Sequence, residues 1–266
     1  MQLLIPVYNN PTYLSNFLSQ LKRFRDLDII VIDGGSTFPV MIDLLNSIKN
    51  TLKVIFLKDN PGPHWFYENQ KFYNQLNDFF LVSDPDLQFD TEIPIDFFNT
   101  FIEISERYCI GKVGSSIKLP EGKFKNELLR IGDSVQTIYQ AEKQFWENEL
   151  YADSINFRHF LSPIDTTLAL YNKKWFDPYT FLNSIRVADV FEVVHLPWDE
   201  SFIVPQDELL YYKKVSQHSY YSGAKSENGE PFRYISHRAY LELLNRAGNH
   251  PKKSIKRLGS LVRKLF

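Results

Sequence analysis

Two aspartates, Asp84 and Asp86, stand one residue apart directly after an apolar run at 78–82. In an extended or tightly turned backbone, residues i and i+2 project to the same side, so both carboxylates can face one point. Paired carboxylates suit a hard divalent cation such as Mn2+ or Mg2+, which keeps coordination positions open for phosphate oxygens. The alternative is an ordinary strand-to-loop junction with Asp-Pro turn chemistry, because Pro85 lies between the two aspartates.

The first ninety residues predict the elements that would position this pair. Apolar runs alternate there with segments of helical length, which predicts a parallel sheet with helices on both faces. In such sheets, ligands bind beyond the carboxyl ends of the strands. Four polar or glycine-rich segments fall at those ends: Tyr8-Asn9-Asn10, Asp33-Gly34-Gly35, Asn60-Pro61-Gly62 and Asp84-Pro85-Asp86. We therefore expect these four segments to converge on one site.

The rest of the chain is less regular, and its pattern predicts helices at 96–108, 142–151 and 236–247 and strands at 112–119, 165–171 and 185–194. The short apolar segment at 65–77 also predicts a helix. No repeat, low-complexity tract or shift in composition marks a linker, which favours a single domain.

Composition excludes several classes of protein. The chain has 266 residues, 44% hydrophobic and 23% charged, which is typical of a globular protein with a sizeable core. A formal net charge of −2 argues against a nucleic-acid partner held by bulk electrostatics. The single cysteine, Cys109, excludes an internal disulfide and fits a cytoplasmic location. The N-terminus lacks the pattern of a signal peptide, and no apolar run reaches the ~20 residues of a membrane-spanning helix.

The motifs resemble the nucleotide-binding half of a GT-A fold glycosyltransferase, close to family 2. The resemblance rests on Ile5-Pro6-Val7-Tyr8-Asn9, on the loop at 32–37 and on Asp84-Pro85-Asp86. Five further segments are similar to a bacterial subgroup of these enzymes: Asn60-Pro61-Gly62-Pro63, Lys112-Val113-Gly114, Phe145-Trp146, Pro163-Ile164-Asp165-Thr166-Thr167 and His195-Leu196-Pro197-Trp198. Together they cover roughly residues 1–215.

This resemblance implies an α/β, Rossmann-like fold, with a mostly parallel sheet, helices on both faces and a smaller acceptor-side half. One domain would span 1–248, with a nucleotide-binding half at 1–90 and an acceptor half at 91–248, followed by a tail at 249–266. The implied activity is an inverting hexosyltransferase that moves a sugar from a nucleoside-diphosphate sugar to a glycan or lipid-linked acceptor, in surface polysaccharide assembly.

Two other functions stay open at this point. A sugar-phosphate nucleotidyltransferase also uses a Rossmann-like half and acidic metal ligands, but it normally has a Gly-rich, basic N-terminal loop, which residues 9–12 do not supply. A non-catalytic nucleotide- or glycan-binding protein of the same fold would bind the donor without turnover.

The resemblance also implies residue roles. Asp84 and Asp86 would hold Mn2+ or Mg2+, with His195 as a third protein ligand, although a packed or hydrogen-bonded histidine is an equal alternative. A pyrimidine-type base would sit near Tyr8 and Asp33. The residues expected at the donor are Pro6, Tyr8, Asn9, Asp33, Gly34, Asn60, Gly62, His64, Asp84 and Pro85.

The catalytic base has no clear family equivalent, because the usual Glu-Asp pair is absent and the nearest dipeptides are Asp199-Glu200 and Asp207-Glu208. On physical grounds we favour Asp165, which opens a predicted strand beside the ligand edge and could deprotonate an acceptor hydroxyl. The alternative for Asp165 is a residue that stabilises a turn at the start of the strand. Asp199 is the second candidate. Trp198 follows Pro197 in a polar loop, and we expect it to contact the acceptor, with core packing as the alternative.

The tail at 249–266 contains six Lys and Arg residues and no acid. Its apolar residues recur near helical spacing, so an amphipathic basic helix could lie on an anionic membrane surface. The alternative is a helix that docks on the domain with its basic face in solvent. A tail that binds the membrane predicts a cytoplasmic protein that is peripheral at the inner face of the membrane.

Overall fold

The computed structural model describes residues 1–125, 128–131, 134–152, 155–164, 167–180 and 182–215, with 128–131, 134 and 135 described by their backbone alone. The strands of this part are β1 (Gln2–Val7), β2 (Asp28–Asp33), β3 (Lys53–Phe56), β4 (Phe79–Val82), β5 (Leu87–Phe89), β6 (Lys112–Ser115), β7 (Leu128–Ile131), β8 (Ser134–Thr137), β9 (Glu149–Leu150), β10 (His159–Leu161), β11 (Ala169–Asn172), β12 (Ile185–Val187) and β13 (Val193–His195). Its α-helices are α1 (Pro11–Leu21), α2 (Pro39–Ile48), α3 (Trp65–Glu68), α4 (Gln70–Tyr73), α5 (Phe98–Tyr108), α6 (Ile138–Lys143) and α7 (Gln206–Val215).

Nine strands form one sheet, in the order β3-β2-β1-β4-β11-β6-β12-β10-β9. The first four are parallel to one another, and of all nine only β11 and β10 run in the opposite direction. The other two sheets of the described residues are the pairs β5–β13 and β7–β8. The predicted α/β class, with a mostly parallel sheet, is confirmed.

Helices cover both faces of the sheet. Successive residues of a strand point to opposite faces, so neighbouring residues of β1 pack against different helices. Leu3 and Ile5 of β1 pack in one core cluster with residues of α1, α2 and α5, such as Phe17. Leu4 packs in a second cluster with Phe66 of α3. The sheet is therefore packed between two apolar layers, and the loops that follow its parallel strands lie at their carboxyl ends.

Two predicted helices differ in the structure. Residues 65–77 form two single-turn helices, separated at Asn69, whose side chain caps α4. The prediction of a helix at 142–151 is wrong, since α6 ends at Lys143 and a 3-10 turn leads into β9.

The strand predicted at 185–194 is interrupted. Asp189 adopts a φ of 60°, outside the extended region, and a 3-10 turn at Asp189–Phe191 separates β12 from β13. This turn takes β13 off the large sheet and pairs it with β5. The helix predicted at 236–247 and the tail at 249–266 lie outside the described residues. Within the described part of the chain, no helix has the length and apolar character needed to cross a membrane.

Candidate functional site

Asn9 joins the loop after β1 to the loop after β2. Its side chain is buried, and its Oδ1 atom accepts hydrogen bonds of 2.7 Å from the backbone N–H groups of Thr37 and Phe38. Its own backbone N–H donates to Oγ of Ser36 at 2.8 Å. Asn9 has a φ of 52°, a left-handed conformation that asparagine tolerates better than most residues. The two loops are therefore held together at the carboxyl ends of their strands.

Asp33 is the last residue of β2 and is only 3% exposed. Both carboxylate oxygens accept from the backbone N–H of Ser36, each at 3.1 Å. Burial raises the pKa of Asp33, and hydrogen bonds from Ser36 and Gly35 counteract this rise. A carboxylate in this position can accept hydrogen bonds from a base or a ribose.

Gly34 lies where three loops approach one another. Its backbone N–H donates to the carbonyl oxygen of Val7 at 2.9 Å. A Cβ atom on Gly34 would lie 3.0 Å from Oδ1 of Asn60, which itself accepts from the N–H of Gly62 at 3.2 Å. The loops after β1, β2 and β3 therefore come together, as the sequence predicts.

Asp86 and His195 meet through the pairing of β5 with β13. His195 stands opposite Leu87 in that antiparallel ladder, and the N–H of Leu196 donates to the backbone oxygen of Asp86 at 2.9 Å. Nε2 of His195 lies 3.3 Å from Oδ2 of Asp86. The ring of Trp198 packs edge-on against the imidazole, with ring centres 4.4 Å apart.

This pair fits part of a metal site. Oδ1 of Asp86 and Nδ1 of His195 are buried and have no hydrogen-bond partner. A buried polar atom without a partner is costly, and a bound cation would satisfy such atoms. Asp84, two residues earlier, is half-buried and adds a second carboxylate. No three His, Cys, Asp or Glu side chains in the described part of the chain are grouped closely enough to hold an ion, so the predicted ligands do not form a complete cluster.

The remaining donor candidates lie around the same edge. Pro6 is within β1, opposite Ile32 of β2, and the N–H of Tyr8 donates to Oδ1 of Asn10 at 3.3 Å. Pro85 is buried between the two aspartates. The ring of His64 stacks on Tyr67 with centres 5.5 Å apart.

The structure describes one of the two candidate bases. Oδ1 of Asp199 accepts from both the backbone N–H and the hydroxyl of Ser201, at 2.8 Å and 2.7 Å, so this carboxylate stabilises a turn. Asp165 lies outside the described residues. Neither assignment is tested by these contacts, and both stay predictions.

Sequence reasoning missed a buried ion pair beside this edge, between Arg186 of β12 and Glu142 of α6. Nε of Arg186 also donates to the backbone oxygen of Pro163 at 2.8 Å. Burial raises the pKa of Glu142 to about 7, although the positive charge of Arg186 favours its ionised form. No local pattern signals this pair, because its members are 44 residues apart.

A second missed group surrounds Tyr13 at the start of α1. Its ring stacks on Phe202, with centres 5.5 Å apart. Burial raises the pKa of the Tyr13 hydroxyl, and the negative charges of Asp86 and Glu208 raise it further. The segment after β13 therefore returns to the edge of the sheet where Asp86 lies.

Comparison with known proteins identifies similar structures but no family. No family model and no curated protein match the chain. S. aureus TarS 1-349 is similar at 20% identity, over 48% of this chain and 40% of TarS 1-349, with a TM-score of 0.34. The mannosyltransferase PcManGT from Pyrobaculum calidifontis, in complex with GDP-Man and Mn2+, is similar at 15% identity, over 98% of this chain and 79% of that chain, with a TM-score of 0.47.

GalNAc-T7, in complex with UDP, GalNAc and Mn2+, is similar at 12% identity, over 92% of this chain and 54% of that chain, with a TM-score of 0.47. The chain thus spans less than two thirds of the length of TarS 1-349 and of GalNAc-T7.

Proposed function

We propose that the chain is a metal-dependent GT-A glycosyltransferase, which transfers a sugar from a nucleoside-diphosphate sugar to a glycan or lipid-linked acceptor. The pairing of Asp86 with His195 carries the proposal. It supplies a buried oxygen and a buried nitrogen without partners, at the edge of the sheet where the loops of Asn9, Asp33 and Asn60 meet. A nucleoside diphosphate with a divalent ion needs such ligands beside polar loops.

In this proposal two groups of residues bind the donor. Tyr8 and Asp33 contact a pyrimidine-type base and its ribose, and Asp84, Asp86 and His195 hold Mn2+ or Mg2+. When bound, the ion offsets the negative charge that develops on the leaving nucleoside diphosphate.

Transfer to the acceptor needs a base. A carboxylate takes the proton of the acceptor hydroxyl while the acceptor oxygen bonds to the anomeric carbon and the bond from that carbon to the diphosphate breaks. This direct displacement inverts the anomeric centre. Asp165 is our first candidate for the base and Asp199 the second, and Trp198 is the candidate contact for the acceptor sugar.

We further infer that the enzyme acts in surface polysaccharide assembly, from the cytoplasmic side of the membrane. The basic tail at 249–266 would hold the enzyme against anionic lipids there, close to a lipid-linked acceptor.

The test is release of nucleoside diphosphate from a panel of UDP- and GDP-sugars, in Mn2+ or in EDTA. We expect Mn2+-dependent release by the wild type and its loss in Asp86→Ala. Asp78→Ala is the matched control, since Asp78 is an exposed carboxylate just before the other end of β4. If Asp86→Ala retains the full metal-dependent rate, the proposal is wrong.

A further inference from the structure

Helix α7 binds the first turn of α1, just after the loop that follows β1, through a buried carboxylate. Glu208, in the first turn of α7, is 3% exposed. Its Oε2 atom accepts from the hydroxyl of Thr12 at 2.5 Å, and its Oε1 atom accepts from the backbone N–H of Thr12 at 3.2 Å. The two residues are 196 positions apart in the sequence. This contact therefore joins the end of the described chain to its beginning.

Glu208 supplies an acidic cap to the N-terminus of α1, which has none of its own. The N-cap residue of α1, Asn10, makes no side-chain cap hydrogen bond, and the first turn of α1 contains no acid. The first N–H groups of a helix have no partner within it, and a carboxylate there is favoured by the helix dipole. Thr12 is in this first turn, so α7 caps α1 from outside and fixes the backbone that follows Asn9.

The same helix also binds the loop after β2. Oη of Tyr211 donates to Oγ1 of Thr37 at 2.9 Å, and the Tyr211 ring packs on Phe38 with centres 5.0 Å apart. Thr37 and Phe38 are the residues whose backbone N–H groups bond to Asn9. One face of α7 thus contacts the first turn of α1, which follows Asn9 directly, and the loop after β2 to which Asn9 is bonded.

The packing of α7 indicates that these polar contacts decide where it docks. A surface helix usually docks through an apolar stripe. In α7, Glu208 is the one buried residue, while Leu209 and Leu210 are exposed. Burying a carboxylate is costly unless it is well hydrogen-bonded, and apolar contacts would fasten a helix with less penalty. The hydrogen bonds of Glu208 therefore favour one docked position of α7 over others.

We propose that α7 orders the two donor loops, and that Glu208 and Tyr211 are positioning residues that act through Thr12 and Thr37 on the loops of Asn9 and Asp33. The inference rests on the proposed function, since it assigns those loops to a nucleoside-diphosphate sugar. Neither residue needs to touch the donor. Their removal loosens the loops before binding, so the donor must then order them, and its affinity falls.

The test compares Glu208→Ala, Glu208→Gln and Tyr211→Phe with Asp207→Asn as the control. Asp207 is the neighbouring acid on α7 and is exposed. The Gln variant keeps an oxygen acceptor for the N–H of Thr12, and the Phe variant keeps the ring on Phe38. The measurements are the dissociation constants of UDP-glucose, UDP-GlcNAc and GDP-Man in Mn2+, the kcat of donor release, and amide hydrogen exchange at Thr12 and Thr37.

We expect Glu208→Ala and Tyr211→Phe to speed exchange at both loops. Tyr211→Phe loses one hydrogen bond and should weaken donor binding by about tenfold. Glu208→Ala loses two hydrogen bonds to Thr12 and should weaken donor binding by at least as much. At saturating donor, kcat should stay within about twofold, because the reacting groups are untouched. Glu208→Gln should restore most of the affinity, and Asp207→Asn should match the wild type.

Faster exchange with unchanged donor affinity would overturn the positioning role and leave α7 as a structural element alone. A wild type that binds none of the donors would instead contradict the proposed function. In that case faster exchange in Glu208→Ala would still support the ordering of the loops by α7, and unchanged exchange would overturn it.

Discussion

Nε2 of His195 lies 3.3 Å from Oδ2 of Asp86, although the two residues come from separate halves of the sequence. The short β5–β13 ladder sets this distance, since it fixes the backbone of both partners. Each side chain keeps a further buried atom without a partner. Under the proposed function, this aspartate and this histidine are two of the three ligands of the cation.

Replacement of Asn9 should destabilise the fold. Asn9→Ala removes the acceptor of two backbone N–H groups, of which that of Phe38 is buried, and places alanine at a left-handed φ. We expect a loss of about 2–4 kcal/mol in the free energy of unfolding, measured by urea denaturation. Asn10→Ala is the control and should cost less than about 1 kcal/mol, because it removes one long side-chain bond, from the N–H of Tyr8 to Oδ1 of Asn10 at 3.3 Å. Equal losses for the two variants would show that the loop does not depend on Asn9.

Two glycines, in the loops after β2 and β3, allow the cost of backbone strain to be measured separately from that of a steric clash. Gly35 and Gly62 both have a positive φ, 80° and 87°. A Cβ on Gly35 would lie 2.9 Å from the carbonyl oxygen of Lys58, whereas a Cβ on Gly62 would meet nothing within 4 Å. Gly62→Ala should therefore cost about 1–2 kcal/mol of stability from strain alone. Gly35→Ala should cost more, and thermal unfolding that ranks the two in the reverse order would contradict this geometry.

The buried pair of Arg186 and Glu142 should show strong coupling. Glu142→Leu leaves the charge of Arg186 buried and should cost about 3–5 kcal/mol of stability. Arg186→Met should cost less, because burial raises the pKa of Glu142 and the carboxyl can take a proton. The double variant removes both charges and should lie near the wild type. A double-mutant cycle in urea measures the coupling. Additive losses would show that the two side chains act independently.

Glu142 also makes stability depend on pH. Its folded pKa of about 7 exceeds the reference value of 4.5, so the folded state binds more protons than the unfolded state between these values. Its contribution is fully present below pH 4.5 and is lost as pH rises through 7. Relative to Glu142→Gln, which stays neutral, the wild type should therefore lose thermal stability from pH 5 to pH 8. A relative gain over that range would show that the attraction of Arg186 outweighs burial.

The parallel half of the sheet could be predicted from the sequence because its signals are local. Each of the first four strands of the large sheet is an apolar run, and each loop begins with a polar residue at a strand end, such as Asn9 after β1 or Asp33 at the end of β2. The structure brings the loops of Asn9, Gly34 and Asn60 together as that pattern implies.

The Asp86–His195 pair and the burial of Glu208 depend on contacts between segments that are distant in the sequence. The spacing of apolar residues within a segment does not encode such contacts. The interruption at Asp189 creates β13, and only its pairing with β5 places His195 beside Asp86. Glu208 appears in the sequence as one acid of an Asp-Glu dipeptide, and its burial against Thr12 becomes evident only in three dimensions.

The most direct test of the central claim is a thermal-shift panel of nucleoside-diphosphate sugars, in Mn2+ or in EDTA. The wild type is compared with the Asp84→Ala/Asp86→Ala double variant. A ligand at 100 times its dissociation constant adds about 2.7 kcal/mol of stability, which is a clear shift for a chain of this size. We predict that at least one donor stabilises the wild type only in Mn2+ and that the double variant loses this response. Absence of a shift with every donor, or an equal shift in the double variant, would contradict a metal-dependent donor site at these aspartates.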